Sequence, residues 1–309
     1  PIAIVAALLA IKFVHESKAP GDRTYDIPGV IAATVGLFAL VYGFNRAATH
    51  GWGNSFTLTL FAISGLFLIG FVVIEKMVPN PLLPLRVVTE RNRGGSYLGS
   101  MVVGAGMFAM FLFLGLYLQV VLGYSPLRSG FAFLPFTAGI VLFAGIASQL
   151  MPKVGPKPLM IPGLIAAATG MILLTRLEPT SSYVSHVLPS LLIMSSGMAL
   201  CFIPLSTTSL HDVGAHDAGV ASAMMNTSQQ IGGSLGTALL NTVAATATSN
   251  FVSTHIAMGE AVKIYGMVHG FTVAFQVGAI LLLLGALILL AFINVGKDAV
   301  VEHEGVVLH

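Results

Sequence analysis

The chain of 309 residues is 56% hydrophobic and only 8% charged, with a net charge of +2, where an average soluble domain is about 25% charged. Such a chain cannot cover a water-facing surface, so lipid is its solvent, and its net charge is too small to suggest nucleic acid, so none is expected as a partner. One cysteine, Cys201, lies in an apolar run, which excludes a disulfide framework or a cysteine metal site within the chain.

The fold class predicted is all-α: a polytopic helical bundle with about eight complete transmembrane helices and one truncated one. The uncharged run 1–11 ends at Lys12 and is too short for a span of ~20 residues. It has no preceding positive region and no cleavage site, so it reads as the end of a helix begun upstream rather than a signal peptide. Residues 1–14 are assigned to that helix end and 15–27 to a cytoplasmic linker. Complete spans are expected near 28–46, 56–75, 95–122, 128–150, 158–176, 184–206, 218–246 and 267–293, since only helices close their backbone hydrogen bonds within one segment in hydrocarbon. The first two make a helix pair over 28–76. The loop 77–94 combines Pro79, Pro81 and Pro84 with Arg86, Arg91 and Arg93 and reads as a hinge, because proline at that density opposes helix continuation. Residues 95–293 then form a six-helix bundle, and 294–309 a tail.

Placing the linker and the tail in the cytoplasm puts ten of the 14 lysines and arginines inside. Arg46, Arg128, Arg176 and Lys263 are left outside, the arrangement the positive-inside rule prefers. The plasma membrane, with a cytoplasmic carboxy-terminus, is the expected location.

No glycine loop ending in Lys-Ser or Lys-Thr is present, so nothing supports ATP binding, and no metal-binding pair of histidines occurs. All twelve acidic residues fall in loops, tails or helix ends. Desolvated carboxylates at mid-depth are how most proton-driven carriers bind their coupling ion, and none is placed there.

The richest span is the one from Ala218. At 100° per residue, Ser222, Asn226, Gln229, Gln230, Gly233, Thr237 and Asn241 fall within an arc of about 120°. Amides facing lipid would be costly, so this face looks into protein or a water-filled cavity. Interhelical hydrogen bonding, helped by Gly232 and Gly236 at small-xxx-small spacing, is the alternative. A second stripe, Tyr97, Met101, Gly104, Phe108, Phe111, Gly115 and Gln119, is suited to varied ligands but is equally ordinary core. Only the amide of Gln119 demands a polar partner. Pro135, Pro162, Pro189 and Pro204 interrupt four further helices, as hinges or as tolerated kinks.

Three segments together resemble the fourteen-helix drug:proton antiporter branch of the major facilitator superfamily, the EmrB/QacA type. They are Gly123 to Gly130 with Leu134-Pro135, the basic turn Lys153-Val154-Gly155-Pro156-Lys157, and Gly219 to Ala223 continuing through Asn226 to Gly236. The resemblance implies that 28–76 is an inserted helix pair and that an amino-terminal bundle of the same protein precedes this chain. It implies alternating access for a small-molecule substrate, with a proton gradient as energy source and no cofactor. Lys153, Gly155 and Lys157 would form a conformational motif, although Pro152 stands where the family often has an acidic residue. Its proton-linked residues belong to the amino-terminal half.

The function expected is efflux of drugs or amphipathic compounds, with Tyr97, Met101, Phe108, Gln119, Asn226, Gln230 and Asn241 lining the substrate path. A specific metabolite, antibiotic or siderophore is the alternative cargo. An integral membrane enzyme would need converging acidic and histidine residues, and only His211, Asp212, His216 and Asp217 cluster, at a spacing that suits helix capping by Asp217 better than catalysis.

Overall fold

A computed structural model describes residues 26–79, 81–214 and 217–296, together with Ile4, Leu8 and Leu9. The readings made for 1–14, for most of the linker, for His216 and for the tail beyond 296 lie outside the described residues.

Four of the described α-helices begin on a side-chain cap. Helix α1 (Ile27–His50) starts on Asp26, whose Oδ1 accepts from Gly29 N at 2.9 Å, with Pro28 in its first turn. Gly51, at φ 90°, ends it, and Asn54 caps α2 (Ser55–Met77) by accepting from Phe56 and Thr57. The proline-rich loop then runs into the single turn α3 (Leu85–Thr89). The bundle begins with α4 (Arg91–Leu116), capped by Glu90 and prolonged by a π-helical turn, Tyr117–Val121. After it come α5 (Pro126–Ala132), α6 (Leu134–Val154), α7 (Lys157–Leu174), α8 (Leu188–Ser209), α9 (Ala218–Thr254) and α10 (Val262–Phe292).

Seven of the described helical segments are long and apolar enough to cross a membrane. Helix α9 is the eighth long helix and falls short only in apolarity, because its serines, threonines and amides dilute the run. It is also longer than the expected 218–246. At 1.5 Å per residue its 37 residues reach ~55 Å, well beyond ~30 Å of hydrocarbon. Its last turns carry on through polar sequence because Thr246, Ser253 and Thr254 return their hydroxyls to carbonyls of their own helix.

Of the four prolines expected to interrupt helices, two do not. Pro135 and Pro189 stand in the first turns of α6 and α8, where a proline costs no helical hydrogen bond. The breaks lie just before them, at Phe133 and in the π-helical turn Tyr183–Val187. Pro162 and Pro204, and additionally Pro152, do lie inside helices.

The interior is built by α4, α7, α8 and α10 around Phe113, Tyr117, Met160, Leu164, Met171 and Phe275, all essentially solvent-free. Helix α9 packs along α4 and α10, and α1 lies against the outer side of α9.

Candidate functional site

Helices α4 and α9 meet backbone to backbone. A Cβ at Gly232 would collide with the Met101 carbonyl, one at Gly104 with the Gln229 carbonyl, and one at Gly236 with Ala105. This seam fixes the rotation of α9. It turns Gly232 and Gly236 inward and leaves Ser222, Asn226 and Gln230 on a side that no other described helix covers. The Asn226 amide donates to the Ser222 carbonyl of its own helix at 3.0 Å. Among the described residues it makes no interhelical bond. The glycines do the packing and the amides face outward from this bundle.

The stripe on α4 is divided by depth. Tyr97 and Met101 line a cavity of about 390 Å³ together with Glu90, Arg91, Leu98, Met224, Ser228 and Phe292. Tyr97 is 4% exposed and its hydroxyl is buried without a hydrogen-bond partner. Phe108 lines a separate cavity of about 210 Å³, with Val41 and Asn45 of α1 and Gly233, Ser234, Thr237 and Ala238 of α9. Gln119 sits exposed on the π-helical turn, and Asn241 is half-buried. The structure thus pairs Tyr97 with Met101 and brings Phe108 to the α9 face, but does not gather all seven expected residues into one pocket. Another cavity, about 520 Å³ between α1 and α2, is lined by apolar residues only and offers nothing to orient a ligand.

The turn Lys153–Lys157 stands apart from these cavities. Gly155, at φ 83°, reverses the chain after α6, its N–H donating to the Met151 carbonyl at 2.8 Å. Lys153 is exposed and Lys157 half-buried.

A polar lock at the Arg93 end of the bundle is not readable from the residue pattern. The Arg93 side chain is 11% exposed and donates to the carbonyls of Val87 at 2.9 Å, Arg86 at 3.2 Å and His211 at 3.1 Å. It therefore ties the α3 turn to the loop after α8. Arg86 reaches Asp217 at 2.6 Å. Asp217 stands at the N-cap position of α9, as expected, but makes no side-chain capping bond there. The capping reading is corrected to an interloop ion pair. Glu90 accepts from the backbone N–H groups of Asn92 at 3.0 Å and Arg93 at 2.8 Å. Burial alone would raise its pKa, but those two bonds and the Arg93 charge outweigh it and hold the carboxyl below its ordinary value.

Two acidic residues at helix ends prove buried, Asp26 at 7% and Glu75 at 5% exposure. The loop after α2 folds back, with Leu83 N donating to Glu75 Oε2 at 2.9 Å. A position at the edge of a span did not mean exposure. Asp26, Glu75, Glu90, Glu178, Asp212, Asp217 and Glu260 all remain near helix ends, and no cluster of metal-ligating side chains occurs among the described residues.

A polytopic helical bundle with one polar, outward-turned helix face inside an otherwise apolar chain is the architecture of a membrane carrier bundle. The chain belongs to the Major Facilitator Superfamily, whose model matches residues 2–237. It is similar to puromycin resistance protein pur8 of Streptomyces alboniger, 41% identical over 91% of this chain and 57% of the relative. It also resembles cephamycin export protein CmcT of Amycolatopsis lactamdurans, 35% identical over 81% of this chain and 52% of the relative. A third relative, multidrug resistance protein Stp of Mycobacterium tuberculosis, is 28% identical over 83% of this chain and 47% of its own length. The chain spans about half the length of these curated relatives. Family and relatives mark a membrane transporter rather than an enzyme.

Proposed function

We propose that this chain forms the carboxy-terminal bundle and the inserted helix pair of a proton-driven exporter of drugs or other amphipathic compounds in the plasma membrane. The uncovered polar face of α9 carries this reading: Ser222, Asn226 and Gln230 are exposed on a helix otherwise held among apolar neighbours. Amides in hydrocarbon need a polar counterpart, which a water-filled path between this bundle and an amino-terminal one supplies. Alternating access is then rocking of the two bundles about a substrate held between them.

Proton coupling is assigned to residues outside this chain, because among the described residues no carboxylate lies at mid-depth. The antibiotics named for the relatives, puromycin and cephamycin, support an antibiotic-like cargo with apolar and hydrogen-bonding parts.

The test is efflux of fluorescent amphipathic dyes from cells expressing the complete coding sequence that contains this chain, for wild type, Asn226→Ala and Gln230→Ala. Each substitution is expected to weaken efflux of at least part of the panel, and a protonophore to abolish it. Unchanged transport of every compound by both variants would return that face to a structural role.

A further inference from the structure

The cavity between α1, α4 and α9 has features that packing does not require. It is lined by Val41, Asn45, Phe108, Gly233, Ser234, Thr237 and Ala238, and encloses about 210 Å³. On α9 Gly233 lies ~23 Å along the axis from Ala218, and on α4 Phe108 lies ~26 Å from Arg91, so the cavity sits within the helical layer, toward the end of the bundle that carries Arg46 and the Trp52–Thr242 contact.

Three polar side chains converge there: Asn45, Ser234 and Thr237. Elsewhere on α9 some hydroxyls are satisfied locally, although those of Ser222, Thr227, Ser228 and Thr248 are not. Thr242 donates to the Ala238 carbonyl and Thr246 to the Thr242 carbonyl, both at 2.9 Å. Ser234 and Thr237 make no such bond among the described residues, nor does the Asn45 amide make one. Gly233 brings the α9 backbone against the Phe108 ring, which a Cβ would strike. The hairpin is held to this place by Trp52, whose indole N–H donates to Thr242 Oγ1 at 3.3 Å. No acidic or basic side chain lines the cavity.

We propose that this cavity is a substrate subsite, with a wall supplied by the inserted hairpin, for the neutral hydrogen-bonding group of an amphipathic compound whose apolar body rests on Phe108. It deepens the exporter reading and rests on it. An uncharged group such as an amide, carbonyl or hydroxyl suits the site. Asn45 both donates and accepts, and the two hydroxyls do the same, so either polarity is answered. A full charge would enter low-dielectric surroundings with no counter-ion and be penalised. The hairpin would therefore help select cargo, and Asn45 would be a specificity-determining residue.

The test reads occupancy rather than transport. Thr237→Cys is introduced into the complete protein in membranes and treated with methyl methanethiosulfonate. Cys201 is fully buried and contributes little background. The probes are three compounds sharing one apolar tail: N-octylacetamide, octylammonium and octanoate. The cysteine is expected to react, and the amide to protect it about fivefold better than either ion, the equivalent of one net hydrogen bond. Asn45→Leu should erase that difference while Thr237→Cys stays reactive. An unreactive cysteine, equal or better protection by the ions, or unchanged selectivity in Asn45→Leu would overturn the proposal. Protection without efflux of any compound would leave the subsite standing and defeat the exporter reading instead.

Discussion

Arg93 shows what a single buried cation does at the end of a membrane bundle. Its planar fork meets carbonyls from the α3 turn and from the loop after α8, groups that α-helical bonding leaves open. Removing it unties the hinge loop from the bundle. Arg93→Ala is expected to lower stability by about 2–3 kcal/mol, the scale of hydrogen bonds to a charged group. Arg93→Lys should recover only part, because a point charge cannot reproduce the fork. Thermal unfolding of the purified protein in detergent checks both. Beside it, Glu90 has a folded-state pKa held below the ordinary 4.5. Its contribution is therefore complete above that value and is lost as pH falls through the lowered one. Acidification below 4.5 should loosen the start of α4 in wild type and have less effect in Glu90→Gln, read by hydrogen exchange of the Asn92 and Arg93 amides.

Among the helices, the α4 to α9 seam decides which face of α9 is free. Gly232 touches the Met101 backbone rather than a flexible side-chain end, so no small shift relieves a larger residue. Gly232→Val should destabilise by at least ~2 kcal/mol, as overpacking does, and should disturb efflux by rotating Asn226 and Gln230. Gly65 on α2 has open space where a Cβ would stand, so Gly65→Ala should be neutral or mildly stabilising. If both variants behave alike in detergent melts, the seam is not what holds α9. The polar face was legible from sequence because helical periodicity alone groups those residues, and the spans were legible because charge marks their ends. The full length of α9 was not, since local back-bonding by Thr246, Ser253 and Thr254 leaves no hydropathy signal. Nor were the π-helical turns, which depend on how Tyr117 and Tyr183 reach the Glu178 and Ala132 carbonyls across the bundle. The division of the expected site residues among cavities was hidden for a related reason. It depends on where α1 lies, and the pattern along α4 and α9 does not encode that.

For the whole molecule, the remaining question is which end faces the cytoplasm. The contacts place the ends of the helices in two groups. Arg86 pairs with Asp217, Arg93 bonds to the His211 carbonyl, and Asn294 N donates to Asn92 Oδ1, so the loops around 86–93, 211–217 and 292–294 share one end. Tyr117 to the Glu178 carbonyl and Trp52 to Thr242 mark the other. The turn Lys153–Lys157 follows α6, whose start lies with the second group, so it belongs with the first. That end holds Lys76, Arg86, Arg91, Arg93, Lys153 and Lys157 among the described residues, against Arg46, Arg128, Arg176 and Lys263 opposite. The bias favours a cytoplasmic first end, because positively charged loops resist translocation. Lys153 and Arg176 are both exposed, one at each end, while Cys201 is fully buried within α8. Lys153→Cys is therefore expected to react with a membrane-impermeant maleimide only after cells are permeabilised. Arg176→Cys should react on intact cells. The reverse pattern would invert the bundle in the membrane, turning the α9 face and the Phe108 cavity the other way with respect to its two sides.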